Sequence, residues 1–181
     1  AEGTVSATGG ALSGNGGFVE ISGKQGLVLN AEVDLHADNG TFGTLLLDPT
    51  DIVIHDKGDG AQADDGSLPD LSEATLGAVA LDIGEDALEL LAANSNLVLE
   101  ASNNITINDL LDDSLDFNIS SSGSISMTAD AGVADGVGSF TMNTGDSITT
   151  QGGSLTISAA GVRSEEHTSE LQSRGLISYA V

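Results

Sequence analysis

The feature that most constrains this chain is a spacing. Apolar residues come in pairs two positions apart, and the next pair starts six residues after the second member. Examples are Val19 and Ile21 then Leu27 and Leu29, Leu97 and Leu99 then Ile105 and Ile107, Phe117 and Ile119 then Ile125 and Met127, and Phe140 and Met142 then Ile148. Residues two apart share one face of a strand, so each pair reads as a short strand with one apolar side. Between the pairs lie "EASNN", "SSSGS" and "NTGDS", residue types that accept left-handed backbone or bond their own turns. Leu97, Phe117 and Phe140 are 20 and 23 residues apart, which predicts a coil of about 20 residues. One such unit cannot bury its apolar face alone, but stacked units can. The expected fold is all-β, a parallel β-helix with Val, Ile, Leu and Phe in its lumen. An antiparallel β-sandwich uses the same alternation. The recurrence of spacing, beyond that of composition, favours the helix.

Composition agrees with thin apolar layers. Among 181 residues there are 24 Gly, two Pro and only 3% aromatics, so the core must be built from Val, Ile, Leu and Ala. The formal net charge is −24, dispersed mostly as Asp, and Lys24 and Lys57 are the only Lys or Arg before Arg163. Nucleic acid is thereby excluded as a partner, and an anionic membrane surface would repel the chain. With no Cys there is neither a disulfide framework nor thiolate chemistry, which is compatible with export. No apolar run approaches the roughly 20 residues that span a bilayer, so no stable membrane insertion is expected. The opening "AEGTVSATGG" has no initiator Met and reads as a start inside a longer protein or after processing.

One region departs from the repeat. Residues 1–54 and 97–162 read as β-helix coils, and 55–96 as an acidic insertion off the stack. A helix is expected near residues 85–93, with Glu85 and Asp86 at its N-terminus, Ala87, Leu88 and Leu91 on its apolar face and Asn94 ending it. A shorter helical turn is expected after Ser72.

Candidate chemistry is sparse. Asp56, Asp59, Asp64 and Asp65 in "DKGDGAQADDG" invite a calcium reading, but Gly58 and Gly60 occupy two of the ligand positions of the EF-hand pattern, so a solvated acidic loop is expected. "TGGALSGNGG" lacks the Asp of the calcium-binding nonapeptide repeat. His36 with Asp38 and His55 with Asp56 lack a nucleophile and an oxyanion site, so both histidines are expected at the surface beside turns. A polysaccharide lyase needs cationic groups that two lysines hardly supply, and a hydrolase needs converging carboxylates. No Asp pair recurs in the sequence at what would be facing positions of adjacent coils. No catalytic, cofactor-binding or metal residue is therefore assigned, no cofactor is expected, and the chain is not expected to be an enzyme.

Residues 16–54, "GGFVEISGKQGLVLNAEVDLHADNGTFGTLLLDPTDIVI", resemble the filamentous haemagglutinin-type exoproteins of two-partner secretion, and "EDALELLAANSNLVLEASNNITI" is similar to the next segment of those exoproteins. Leu45, Leu47, Ile52 and Ile54 are inward positions there, and Asp48, Pro49 and Thr50 are expected to turn, with Pro49 ending a strand. The resemblance covers residues 1–162. It implies a right-handed parallel β-helix, export through an outer-membrane partner transporter, and a structural or adhesive role at the surface of a Gram-negative bacterium. The partners it implies there are surface glycans or proteins of a host or a neighbouring cell. It transfers no catalytic residue. The family's N-terminal export-recognition segment is not evident, so the chain reads as a slice of a longer adhesin. A β-helical polysaccharide-active enzyme and a calcium-dependent carbohydrate-binding module are the alternatives.

The composition breaks after Val162. Arg163 to Ser173, "RSEEHTSELQS", resembles the translation of a widely used short-read sequencing adapter. Residues 163–181 read as an artefactual tail and carry no weight in the functional reading.

Overall fold

A computed structural model describes residues 3–23, 27, 31–56, 80–119, 122–132, 136–164, 170–173 and 177–180, with backbone alone at 3, 31 and from 161 onward. Its elements in chain order are β1 (Gly3–Ser6), β2 (Phe18–Gly23), β3 (Ala31–Asp34), β4 (Thr44–Pro49), β5 (Asp51–His55), β6 (Ala80–Gly84), α1 (Glu85–Ala93), β7 (Asn96–Ala101) and β8 (Ile105–Ile107). Next along the chain come β9 (Ser114–Phe117), β10 (Ser124–Ala129), β11 (Ser139–Met142), β12 (Ser147–Thr150), β13 (Ser154–Ser158), β14 (Gly161–Ser164), β15 (Glu170–Ser173) and β16 (Ile177–Ala180). Every described strand pairing is parallel. The strands stack as a β-solenoid of about four turns, a parallel β-helix.

The coil has three faces. The first is β2-β4-β7-β10-β13-β16, the second β6-β5-β8-β11-β14 and the third β9-β12-β15, with β1-β3 as a separate pair. The chain visits the faces in turn: β7, β8 and β9 make one coil, and β10 returns to lie on β7. Val19, Leu45, Leu97, Ile125 and Leu155 occupy one column. Regular steps along it run from 19 to 45, from 97 to 125 and from 125 to 155, that is 26, 28 and 30 residues. The expected coil of about 20 residues is therefore corrected. Leu97, Phe117 and Phe140 lie on the first, third and second faces, not in one column. The six-residue step of the sequence is the passage round a corner from one face to the next.

Inward positions alternate with outward ones, so β4, β7 and β10 each show a strict partly buried then buried pattern. Leu45, Leu47, Ile52, Ile54, Leu97 and Leu99 are fully buried, as the spacing predicts. Each such side chain contributes roughly 1.5–3 kcal/mol relative to exposure. Thr150 is the buried polar member of the third face, and its Oγ1 donates to the Gly153 carbonyl at 2.8 Å. Pro49 is the last residue of β4 and is buried, so it ends the strand as expected, while Asp48 belongs to the strand and the corner is Thr50 alone. The β4-β7 ladder stops at Leu47 and Leu99, two residues short of that proline, which has no N–H to offer a neighbour.

The described end of the segment read as standing off the stack, from Ala80 onward, contributes to it. β6 pairs with β5 on the side away from β8, filling the second face one level below. The helix forms at Glu85–Ala93, with Ala87, Leu88, Leu91 and Ala92 buried and Asn94 as its C-cap. It occupies the third-face position of its coil and packs against β6, β7 and β9. There it covers the edge of β9, whose Asp116 N–H donates to Glu89 Oε1 at 2.6 Å, an edge that would otherwise be open to pairing. The turn expected after Ser72 lies outside the described residues, as do Leu29, Lys24 and Lys57. Beyond Val162 the backbone continues the three faces, with Leu171 in register with Ile148 and Ile177 with Leu155. The last rung of a parallel stack offers unpaired N–H and C=O groups to any further extended chain.

Polar ladders close the corners. At the first corner Asp51 Oδ1 accepts from the Asn104 N–H and Nδ2, both at 3.1 Å, and Asn104 Oδ1 accepts from the Ser139 N–H and Oγ at 3.1 and 2.9 Å. Near the start of β4 the backbones approach closely. A Cβ on Gly43 would lie 2.2 Å from the Gly17 carbonyl oxygen and 2.8 Å from the Gly17 nitrogen. Backbone cannot give way there. Gly43→Ala is expected to cost roughly 1–3 kcal/mol, whereas Gly84→Ala, whose Cβ would meet only His55 Cε1 at 4.0 Å, should unfold close to the parent in a urea titration.

Candidate functional site

The second corner, where the chain turns from the second face to the third, carries acids at successive levels. Asp56 follows β5, Asp109, Asp112 and Asp113 follow β8, and Asp146 lies between β11 and β12. The middle loop is a tight turn. Asp113 has φ 60° and donates its N–H to the Leu110 carbonyl at 3.1 Å, while the Ser114 N–H donates to Asp112 Oδ1 at 3.1 Å. Asp tolerates this left-handed conformation better than most side chains. The next coil is locked on by the Ser147 N–H, which donates to the Asp113 carbonyl at 2.9 Å, and by Asn143 Nδ2, which donates to Asp109 Oδ1.

This packing brings carboxylates from adjacent coils together, contrary to the sequence expectation. One oxygen each of Asp109, Asp113 and Asp146 lies within 4.8 Å of the other two. Asp109 and Asp113 are exposed, and Asp146 is fully buried. Burial pushes the Asp146 carboxyl up to about 6, aided by the charges of Asp109, Asp113 and Asp112. The Leu110 backbone amide favours the anion but falls outside hydrogen-bond geometry. Sequence reasoning missed this trio because Asp109 and Asp146 become neighbours only when the three-strand coil length is known.

One level below, the start of α1 is a second acidic knot. Glu85 is pushed up to about 8, first by burial, then by donating a hydrogen bond to Asp56, then by the charges of Asp112, Asp56 and Glu89. A carboxylate in the first turn of a helix normally gains from the dipole; here burial outweighs it. Glu89 is also raised, chiefly by burial.

His55 is corrected from a surface residue to a buried one, 5% exposed. Its Nε2 lies 3.0 Å from Asp82 Oδ1 and its Nδ1 2.9 Å from the Asp56 carbonyl oxygen. The partner carboxylate comes from β6, not from the adjacent Asp56 side chain. His36 lies beside the turn after β3 but is half-buried, 3.6 Å from Asp38 and tilted against Phe42. Of the suggested calcium loop only Asp56 is described, and it is buried; Asp59, Asp64 and Asp65 lie outside the described residues. A cavity of about 260 Å³ opens at the first corner instead, lined by Ser22, Gly23, Asp48, Pro49 and Ser102. With one carboxylate it offers no acid and base pair.

Compared with known proteins, the chain matches no family model, no curated protein and no solved structure. Among the described residues no helix is long and apolar enough to cross a membrane.

The raised carboxyls fix a pH dependence. Folded Glu85 holds its proton up to about 8, whereas its ordinary value is 4.5, so the native state binds more protons between those values and stability falls as pH rises through them. In chelator, the melting temperature by circular dichroism is expected to drop from pH 5 to pH 8, and Glu85→Gln to flatten that drop. A parent curve that rises over this range would contradict the assignment.

Proposed function

We propose that the chain is a rod-forming segment of a secreted cell-surface adhesin, exported through an outer-membrane partner transporter by two-partner secretion. Its partners on this reading are glycans or proteins of a host or neighbouring cell. The observation that carries the reading is the unbroken lumen, in which columns such as Leu45, Leu97, Ile125 and Leu155 run from coil to coil. Such a stack grows by one inter-strand spacing per coil and gains stiffness from nearest-neighbour contacts alone. The resemblance of residues 16–54 to haemagglutinin-type exoproteins supports the same reading. So does the absence of Cys, because a chain without crosslinks can pass a transporter unfolded. The dispersed negative charge keeps such a rod from associating sideways.

Reading the genomic locus tests this proposal. The frame is expected to continue into further coils after Val162, with an export domain upstream and a transporter gene beside it; an intact gene ending at Val181 without those neighbours would contradict it. The polysaccharide-active alternative is separated by incubating the purified chain with pectin and other acidic glycans. They are expected to remain intact, and depolymerisation that disappears in Glu85→Gln would establish the enzyme reading in its place.

A further inference from the structure

We propose that Asp109, Asp113 and Asp146 form a binding site for a hard divalent cation, calcium, that ties two successive coils together at the second corner. Two independent observations carry this. The first is convergence: three carboxylates, two from the loop before β9 and one from the loop before β12, each bring an oxygen within 4.8 Å of the others. The second is the state of Asp146. Its side chain is fully buried, and neither of its oxygens has a hydrogen-bond partner among the described residues. Buried anionic groups are paired, hydrogen-bonded or bound to metal, because leaving one bare is costly. Asp146 points into the trio, where a cation would compensate all three charges at once.

The chemistry selects the ion. All three donors are carboxylate oxygens, with no imidazole or thiolate among them, which suits a hard cation over zinc or copper. Calcium tolerates an irregular shell and completes it with water, and the exposed Asp109 and Asp113 leave the outer side open to solvent. Magnesium demands a stricter octahedron. The site is also held in place without the ion: Asn143 from the next coil donates to Asp109, and Ser147 donates to the Asp113 carbonyl. Three carboxylates with a solvent-open side suit an affinity of ~10⁻⁴–10⁻³ M, the range of extracellular calcium modules. This inference does not rest on the adhesin reading, since an ion joining two coils would serve any β-helix.

The test uses the full chain, stripped with chelator and titrated with calcium chloride, by calorimetry and by thermal melting. The melting temperature is expected to rise with calcium as mass action requires. Asp109→Asn and Asp113→Asn are expected to weaken binding by at least about tenfold, and Asn is tolerated at the left-handed position 113. Asp146→Asn, which removes the buried charge, is expected to melt above the parent in chelator and to gain nothing from calcium. Glu20→Gln, an exposed acid on β2, should bind as the parent does. No heat and no melting shift up to ~10 mM calcium, well above the expected range, would overturn the proposal. So would parental binding by both Asp109→Asn and Asp113→Asn, which are exposed and decide the matter even if Asp146→Asn fails to fold.

Discussion

In-register stacking of inward side chains is the constraint on which the rest of this molecule depends. Each lumen residue sits between one from the coil below and one from the coil above, as Leu97 sits between Leu45 and Ile125. A slip of one residue in any strand would turn its inward set outward. Length can therefore change only at corners, and coils of 26, 28 and 30 residues coexist because their strands keep register while the loops differ. The same rule holds across the sequence between β5 and β6, since β6 lies in register beside β5.

The two well-described corners meet their polar obligations differently. At the first, Asp51, Asn104 and Ser139 form a ladder in which the Asp51 and Asn104 side chains each accept from the next coil's backbone N–H. Such ladders satisfy the groups that a turn leaves unpaired. At the second, Asp56 with Glu85 and Asp109 with Asp113 and Asp146 place like charges together, and burial raises the carboxyls that lie deepest. One corner thus adds hydrogen-bonded cohesion. The other stores electrostatic repulsion that protons or a cation relieve.

The alternation of Leu45, Leu47, Leu97 and Leu99 was legible because period-2 burial is local, and so was α1, whose apolar face and Asn94 stop are local signals. The coil length was not legible because the three faces share one corner step, which makes Leu97, Phe117 and Phe140 look equivalent when they lie on different faces. His55 could not be recognised as buried, because its cover, β6 with Asp82, lies far along the chain and joins it only through the stack. The Asp109, Asp113 and Asp146 trio was hidden for the same reason: its proximity is a property of register, and register depends on the third face.

Register is also the property that a single measurement can test most directly. The chain has no Cys, so Val98→Cys with Ser126→Cys, and Val98→Cys with Thr156→Cys, can be spin-labelled specifically and their separations read by electron paramagnetic resonance. Val98 pairs with Ser126, and Ser126 with Thr156, all on the first face. The backbone separations are expected to be about one and two inter-strand spacings, ~5 and ~10 Å, with the second pair consistently farther apart. A first pair more distant than the second, or separated by several spacings, would contradict the three-faced parallel coil.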